Sequence, residues 1–247
     1  MGNNRSRFSA RPGTYSGKIE CFDCPARMSD LCVGLSNTSL PALYEQSTHI
    51  NLDKGETLFL SDQPSEHIFN VREGTMTLYR MGSGGQRQIL GFLFTGDLIG
   101  ITPDAAYNVS AQAGSAVSLC RWDKDKFDDL LVLYPAMAKQ YRLITSKLLT
   151  QSLNLAFALG QLTAEQRLAG FLLHISQRQA RIGGIPGFAA LPMSRMDIAD
   201  YLGLTIETVS RGLTRLRKKG FISLVTRDLI ELSELKTLLR LSQGDDA

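Results

Sequence analysis

Residues 193–220 read MSRMDIADYLGLTIETVSRGLTRLRKKG, and this stretch decides what the C-terminal part of the chain is. Ser194 is placed to cap a first helix, with Asp197 in the opening turn where negative charge is favoured. Ile198, Ala199 and Leu202 recur at three- and four-residue spacing and so share one face. Gly203 then interrupts the pattern, and glycine tolerates the left-handed conformation that ends a helix. Thr205 can cap a second helix with Val209, Leu213 and Leu216 on its buried side and Glu207, Ser210, Arg211 and Arg215 on the other. This is the layout of a DNA-binding helix-turn-helix, whose second helix enters the major groove with its first turns facing the base edges. A plain helical hairpin with a solvated charged face is the simpler alternative. Against it, the small Ala199, the turn glycine, the threonine cap and the polar face all agree.

The basic run Arg215-Leu216-Arg217-Lys218-Lys219 follows in a place suited to phosphates. Between residues 194 and 220, Arg195, Arg211, Arg215, Arg217, Lys218 and Lys219 are set against only Asp197, Asp200 and Glu207, a local excess that suits a polyanion better than the net charge of +3 does. Gly212 is out of character, since a glycine inside a helix costs roughly 1 kcal/mol against alanine, and nothing in the sequence accounts for it.

The chain has 247 residues, enough for one large domain or two ordinary ones, and 43% apolar with 21% charged residues is a globular composition. No apolar run of ~18 residues is present, and the polar N-terminus lacks the apolar core of a secretory signal. A cytoplasmic protein with no membrane segment is expected. In that compartment structural disulfides are rare, so the clustering of three of the four cysteines points to metal or redox chemistry.

Residues 1–20 are polar and basic and are expected to form a flexible tail. Cys21, Cys24 and Cys32 follow in C-x2-C-x7-C spacing. A C-x2-C pair can share one metal centre, but three thiolates complete neither a tetrahedral zinc site nor a four-cysteine cluster. Cys120 is the remaining cysteine; His49, His67 and His174 lie outside the motif. Zinc, an iron–sulfur cluster and unligated thiols all stay open on spacing alone. Between residues 40 and 120, β-prone runs at 56–60, 67–72, 76–80, 87–93 and 116–120 alternate with glycine turns, as in an antiparallel barrel or jelly roll. Residues 21–134, including a short helix over 123–134, form the expected sensor domain. Pro135 opens a helix expected to run to Leu159. It carries two apolar stripes, one through Tyr141, Ile144, Leu148 and Leu155 and one through Thr145, Leu149, Ser152, Ala156 and Leu159, and the second predicts pairing with the same helix of another subunit. Residues 160–247 form the expected DNA-binding domain: a helix capped by Thr163, a Gly/Pro loop over 181–192, the helix-turn-helix, a hairpin of 221–225 with 229–232 that makes it winged, a last helix capped by Ser233, and a loose tail from Gln243. The fold class is α+β.

Cysteine loop, roll, long helix and winged helix, in that order, resemble the CRP/FNR superfamily of transcription regulators, and within it the FNR-type oxygen sensors of the FnrL, FnrN and FixK kind. Phe94-Thr-Gly-Asp-Leu-Ile-Gly100 resembles the superfamily's roll signature, and Leu202-Gly-Leu-Thr-Ile-Glu-Thr-Val-Ser-Arg211 is similar to the FNR recognition helix. The resemblance implies a roll of the cyclic-nucleotide-binding type carrying a [4Fe-4S] cluster on Cys21, Cys24, Cys32 and Cys120. Oxygen is implied to convert the cluster to [2Fe-2S], weakening the homodimer and releasing DNA. The x7 spacing departs from the shorter x5 loop of enterobacterial members, and Ser152 stands where members carry an acidic residue in the dimer seam. The resemblance also implies that Glu207, Ser210 and Arg211, with Thr205, Thr208 and Arg215, read double-stranded DNA of the TTGAT half-site kind. Arg suits guanine and Glu the cytosine amino group. The 181–192 loop resembles the surface by which activators touch RNA polymerase. A cyclic-nucleotide activator needs an acid for the ribose and an Arg for the phosphate, but the chain has Ile101-Thr-Pro-Asp104 and Val109 there. A zinc-stabilised regulator of another signal is the other alternative. No nucleophile–base pair or phosphate loop marks an enzyme.

Overall fold

The computed structural model describes residues 21, 23–28, 31–37 and 39–245; the expected 1–20 tail lies outside them. After two 3-10 turns, Pro25–Met28 and Cys32–Gly34, come α1 (Leu40–Glu45) and eight strands: β1 (Thr48–Leu52), β2 (Thr57–Phe59), β3 (His67–Glu73), β4 (Met76–Met81), β5 (Arg87–Leu93), β6 (Leu98–Ile99), β7 (Ser110–Ala113) and β8 (Val117–Asp123). They form two antiparallel sheets, ordered β1-β8-β3-β6 and β2-β7-β4-β5. Phe69, Val71, Val117 and Leu119 of the first share one core with Phe59, Met76, Leu93 and Ala111 of the second, which makes the jelly-roll sandwich expected from the turn spacing. Trp122 donates its indole N–H to the Leu43 carbonyl at 3.0 Å and so ties α1 to the strand that carries Cys120.

α2 (Lys124–Leu133) leads into α3 (Pro135–Gln161), which runs past Leu159, so Gly160 belongs to α3 and not to the next helix. α3 buries Met137 and Ile144 against its own roll, with Tyr141 and Leu148 half-buried there. Its far side leaves Leu149, Leu153 and Phe157 62%, 61% and 56% exposed. The second stripe is therefore real, but its large members include Leu153 and Phe157, and Leu159 is half-buried.

α4 (Ala164–Arg181) starts in a full capping box between Thr163 and Gln166. Next come β9 (Phe188–Ala190), α5 (Arg195–Leu202), α6 (Ile206–Lys218), β10 (Ile222–Leu224), β11 (Leu229–Leu232) and α7 (Leu235–Ser242). The expected two-stranded wing is a three-stranded sheet, β10-β11-β9. β9 lies within the stretch expected to be loop, because Phe188-Ala189-Ala190 finds a partner edge in β11. The expected cap of the last helix also differs: Glu234 holds that position without a side-chain bond. Nor is the tail wholly loose, since Gln166 donates to the Gly244 carbonyl at 3.0 Å.

Roll and DNA-binding domain pack through β5. Ile89, Phe92 and Phe94 join the core formed by α4, α5 and α6, and the Phe92 ring lies 5.4 Å from Tyr201 and 6.1 Å from Phe171. Arg167 holds the end of α3 to both neighbours. It donates to the carbonyls of Leu159, Leu162 and Leu202 at 2.8, 2.9 and 3.0 Å, partners those helix ends otherwise lack.

Candidate nucleic-acid interface and thiol site

The helix-turn-helix forms for the local reasons its sequence offers. The Ser194 hydroxyl accepts from the Asp197 N–H at 3.1 Å while the Asp197 carboxylate accepts from the Ser194 N–H at 3.0 Å. Gly203 sits at φ 62°, ψ 43°, the left-handed pocket that closes α5. Thr205 then caps α6, its hydroxyl accepting from the Thr208 N–H at 3.2 Å and lying 3.0 Å from the Thr208 hydroxyl. Both threonines are thus engaged in starting the helix. Val209, Leu213 and Leu216 are buried, as their spacing requires.

Gly212 now has its reason. A Cβ there would stand 2.3 Å from Cδ1 of Leu168, a fully buried side chain of α4. The glycine lets the reading helix seat directly on α4.

The outward face of α6 presents Glu207, Ser210 and Arg211, all exposed. Arg211 folds along the helix, donating Nε–H to the Glu207 carbonyl at 3.3 Å. The Glu207 carboxyl is held below its ordinary range by a bond from its own backbone N–H and by the Thr205 hydroxyl, so it is available as an acceptor. The basic run divides in two. Arg215 and Lys219 turn back to Glu165 of α4, at 3.2 and 2.7 Å. Burial alone would raise the Glu165 carboxyl, but Lys219 and Arg215 outweigh it and hold it low. Arg217 and Lys218 make no such pair among the described residues and remain open to phosphate. Arg215 stays exposed beside Glu165, and their ion pair is a cross-helix contact that no local pattern reveals.

The thiols gather where the N-terminal loop meets the first sheet of the roll. Cys120 lies on β8, buried, opposite His49 on β1 and Asn70 on β3. Cys21 and Cys32 pack against the same cluster, with Leu31, Leu35, Leu40 and Trp122. Arg27 pins the loop from within, donating to the Cys32 and Leu35 carbonyls at 2.6 and 2.9 Å. Burial, and then the nearby Cys24 and Cys21, push the Cys32 thiol up to about 12. Burial raises Cys120 too, with Arg72 opposing and the loop cysteines reinforcing the shift. The four sulfurs share one neighbourhood. Among the described residues no three His, Cys, Asp or Glu side chains approach closely enough to hold a metal ion.

A cavity of about 260 Å³ lies between the roll, α3 and α4. Leu93, Val109, Leu148 and Leu155 line it, and Arg178 at its rim is ion-paired with Asp97. His174 also faces it, its pKa lowered to about 4 by burial and by Arg178 and Arg181. Among the described residues, the one guanidinium of this lining, that of Arg178, is therefore already paired, and Val109 stands among the apolar residues.

Residues 49–134 match the cyclic nucleotide-binding domain family and residues 166–241 the Crp-like helix-turn-helix domain family. The nitrogen fixation regulation protein FixK of Bradyrhizobium diazoefficiens is 36% identical over 205 residues, covering 83% of this chain and 86% of that protein. The chain belongs to the CRP/FNR family. The transcriptional activator protein FnrA of Stutzerimonas stutzeri is a further CRP/FNR relative, 34% identical over 212 residues, 83% of this chain and 85% of that one. The solved structure of FixK2 from Bradyrhizobium japonicum superposes with a TM-score of 0.72 at 31% identity, covering 81% of this chain and 98% of that chain. As a CRP/FNR protein the chain is a DNA-binding transcription regulator and not an enzyme. No helix among the described residues is long and apolar enough to cross a membrane.

Sequence reasoning missed Arg27, Arg87 and Arg167. Each acts on a partner fixed only by the folded chain, and a lone arginine carries no local signal of that.

Proposed function

We propose that this regulator senses oxygen through a [4Fe-4S] cluster on Cys21, Cys24, Cys32 and Cys120, and binds palindromic DNA with TTGAT-type half-sites as a homodimer while that cluster is intact. The observation that carries the reading is the meeting of the N-terminal loop thiols with Cys120, which comes from the last strand of the roll. The donor set fits the group. Buried thiols this close together stay protonated unless a cation offsets their charge, and a bound metal centre is such a cation. When bound, an iron–sulfur cluster supplies an oxygen-labile centre whose conversion to [2Fe-2S] changes the bonds that hold the loop. Arg27 orders the backbone around Cys32 and Leu35, and so fixes the part of the loop that carries the third of its thiols.

The exposed Leu149, Leu153 and Phe157 on α3 support pairing with a second copy, since such a stripe is costly to leave in water. Ser152 lies on this exposed side with its hydroxyl turned to the Leu148 carbonyl at 2.9 Å, so no side-chain charge opposes pairing there. The exposed Ile182 and Ile185, before β9, suit a contact with RNA polymerase. Protein purified without air is expected to show broad visible absorption and to contain iron and sulfide. The Cys120→Ser variant should stay folded but lack the absorption, the iron and the sulfide. A colourless, zinc-bearing parent contradicts the cluster and leaves a DNA reader with a different signal.

A further inference from the structure

Arg87 sits at the start of β5, on the outer hairpin of the roll, and reaches across to the first helix of the helix-turn-helix. Its Nε–H donates to Asp200 at 2.8 Å and its terminal nitrogen to Asp197 at 2.5 Å. The two carboxylates are three residues apart on α5, so they stand one turn above the other on a single face. One planar guanidinium spans both, which a lysine ammonium cannot do. All three side chains are at least about three-quarters buried. Next to it, Gln88 donates to the carbonyls of Asp200 and Tyr201 at 2.6 and 3.3 Å, carbonyls in the last turn of α5. The Phe92–Tyr201 contact lies under the same helix.

We infer that Arg87 is a positioning residue for DNA reading: it clamps α5 to the roll and so fixes the angle of the recognition helix relative to the rest of the subunit. This rests on the reading of the chain as a dimer on a palindromic site. Two recognition helices must enter successive major grooves, about 34 Å apart. That spacing is met only if each reader is held at one angle to the pairing helix. A reader swinging about the α3–α4 connection spends part of its time out of register, and affinity falls by that fraction. A single half-site makes no such demand, because one reader finds it at any angle. The clamp also sets one cation against both Asp197 and Asp200.

The test compares full chain, purified without air, with Arg87→Ala, Arg87→Lys, Asp200→Asn and the double variant Arg87→Ala with Asp200→Asn. Each is titrated with a duplex bearing two inverted TTGAT half-sites, a duplex bearing one, and a random duplex. Arg87→Ala is expected to lose roughly tenfold on the palindrome, the scale of a charged hydrogen bond, and nothing on the single half-site. Arg87→Lys should recover only part of the loss, and Asp200→Asn should add little to Arg87→Ala. Equal loss on both duplexes, or no loss, overturns the assignment, as does tighter binding by the variant. Should the parent show no preference for the palindrome, the operator reading fails by itself. The clamp is then judged by amide exchange along α5, which must quicken in Arg87→Ala if the contact holds the helix and stay unchanged if it does not.

Discussion

Replacing Gly212 by alanine tests how tightly the reading helix is seated. Helix propensity favours alanine there by about 1 kcal/mol. The packing opposes it, because the new methyl would lie 2.3 Å from Cδ1 of Leu168, well inside the ~3.5–4.0 Å optimum of carbon contacts. Leu168 is fully buried, so relief requires a displaced rotamer or a shifted helix, and such overpacking costs about 1–3 kcal/mol. The net expectation is a loss of roughly 0–2 kcal/mol. Truncating the obstacle changes the sign. Leu168→Ala alone costs about 2–5 kcal/mol as a core truncation, but in that background Gly212→Ala meets open space and should restore about 1 kcal/mol. Urea unfolding of the four proteins measures the cycle, and binding to a single half-site reports whether the helix has moved. A gain of about 1 kcal/mol from Gly212→Ala in both backgrounds would refute the close seating of α6 on α4.

Further expectations concern the other parts of the molecule. Arg211→Ala should remove discrimination at one G·C pair, about 1–3 kcal/mol, as read by competition between operator variants; an equal loss on random DNA contradicts a base-reading role. Leu153→Asp, on the exposed stripe of α3, should give a folded monomer on gel filtration, and an unchanged dimer would place the pairing surface elsewhere. His174 is held neutral in the fold, its pKa lowered from 6.5 to about 4. Between those values the unfolded chain binds the extra proton, so stability falls as pH drops from 6.5 and the loss is complete below about 4. Chelator-treated parent protein should therefore lose up to about 3 kcal/mol more than His174→Gln over that range, and parallel curves from urea unfolding would contradict this.

What the sequence disclosed depended on the range of the interaction. The helix-turn-helix was legible because its caps, turn glycine and apolar spacing act within four residues, and Ser194, Gly203 and Thr205 do what their positions imply. β7 was not legible. Ser110-Ala-Gln-Ala113 is a poor strand by composition and is extended because β2 and β4 flank it. β9 likewise exists only through its pairing with β11. The purpose of Gly212 lay in Leu168, and the bridging of Arg215 and Lys219 in Glu165, one helix away in each case. The cysteine spacing left zinc and iron–sulfur open, and the fold adds Cys120 to the neighbourhood without choosing between them.

The central claim is that four sulfurs hold an oxygen-labile centre whose integrity governs DNA binding. The direct measurement is iron and sulfide content together with operator affinity, on protein purified without air and again after exposure to it. The account predicts about four irons and four sulfides per chain, tight binding to the palindrome, and loss of both after air. Iron-free protein that grips the operator equally before and after air would contradict it.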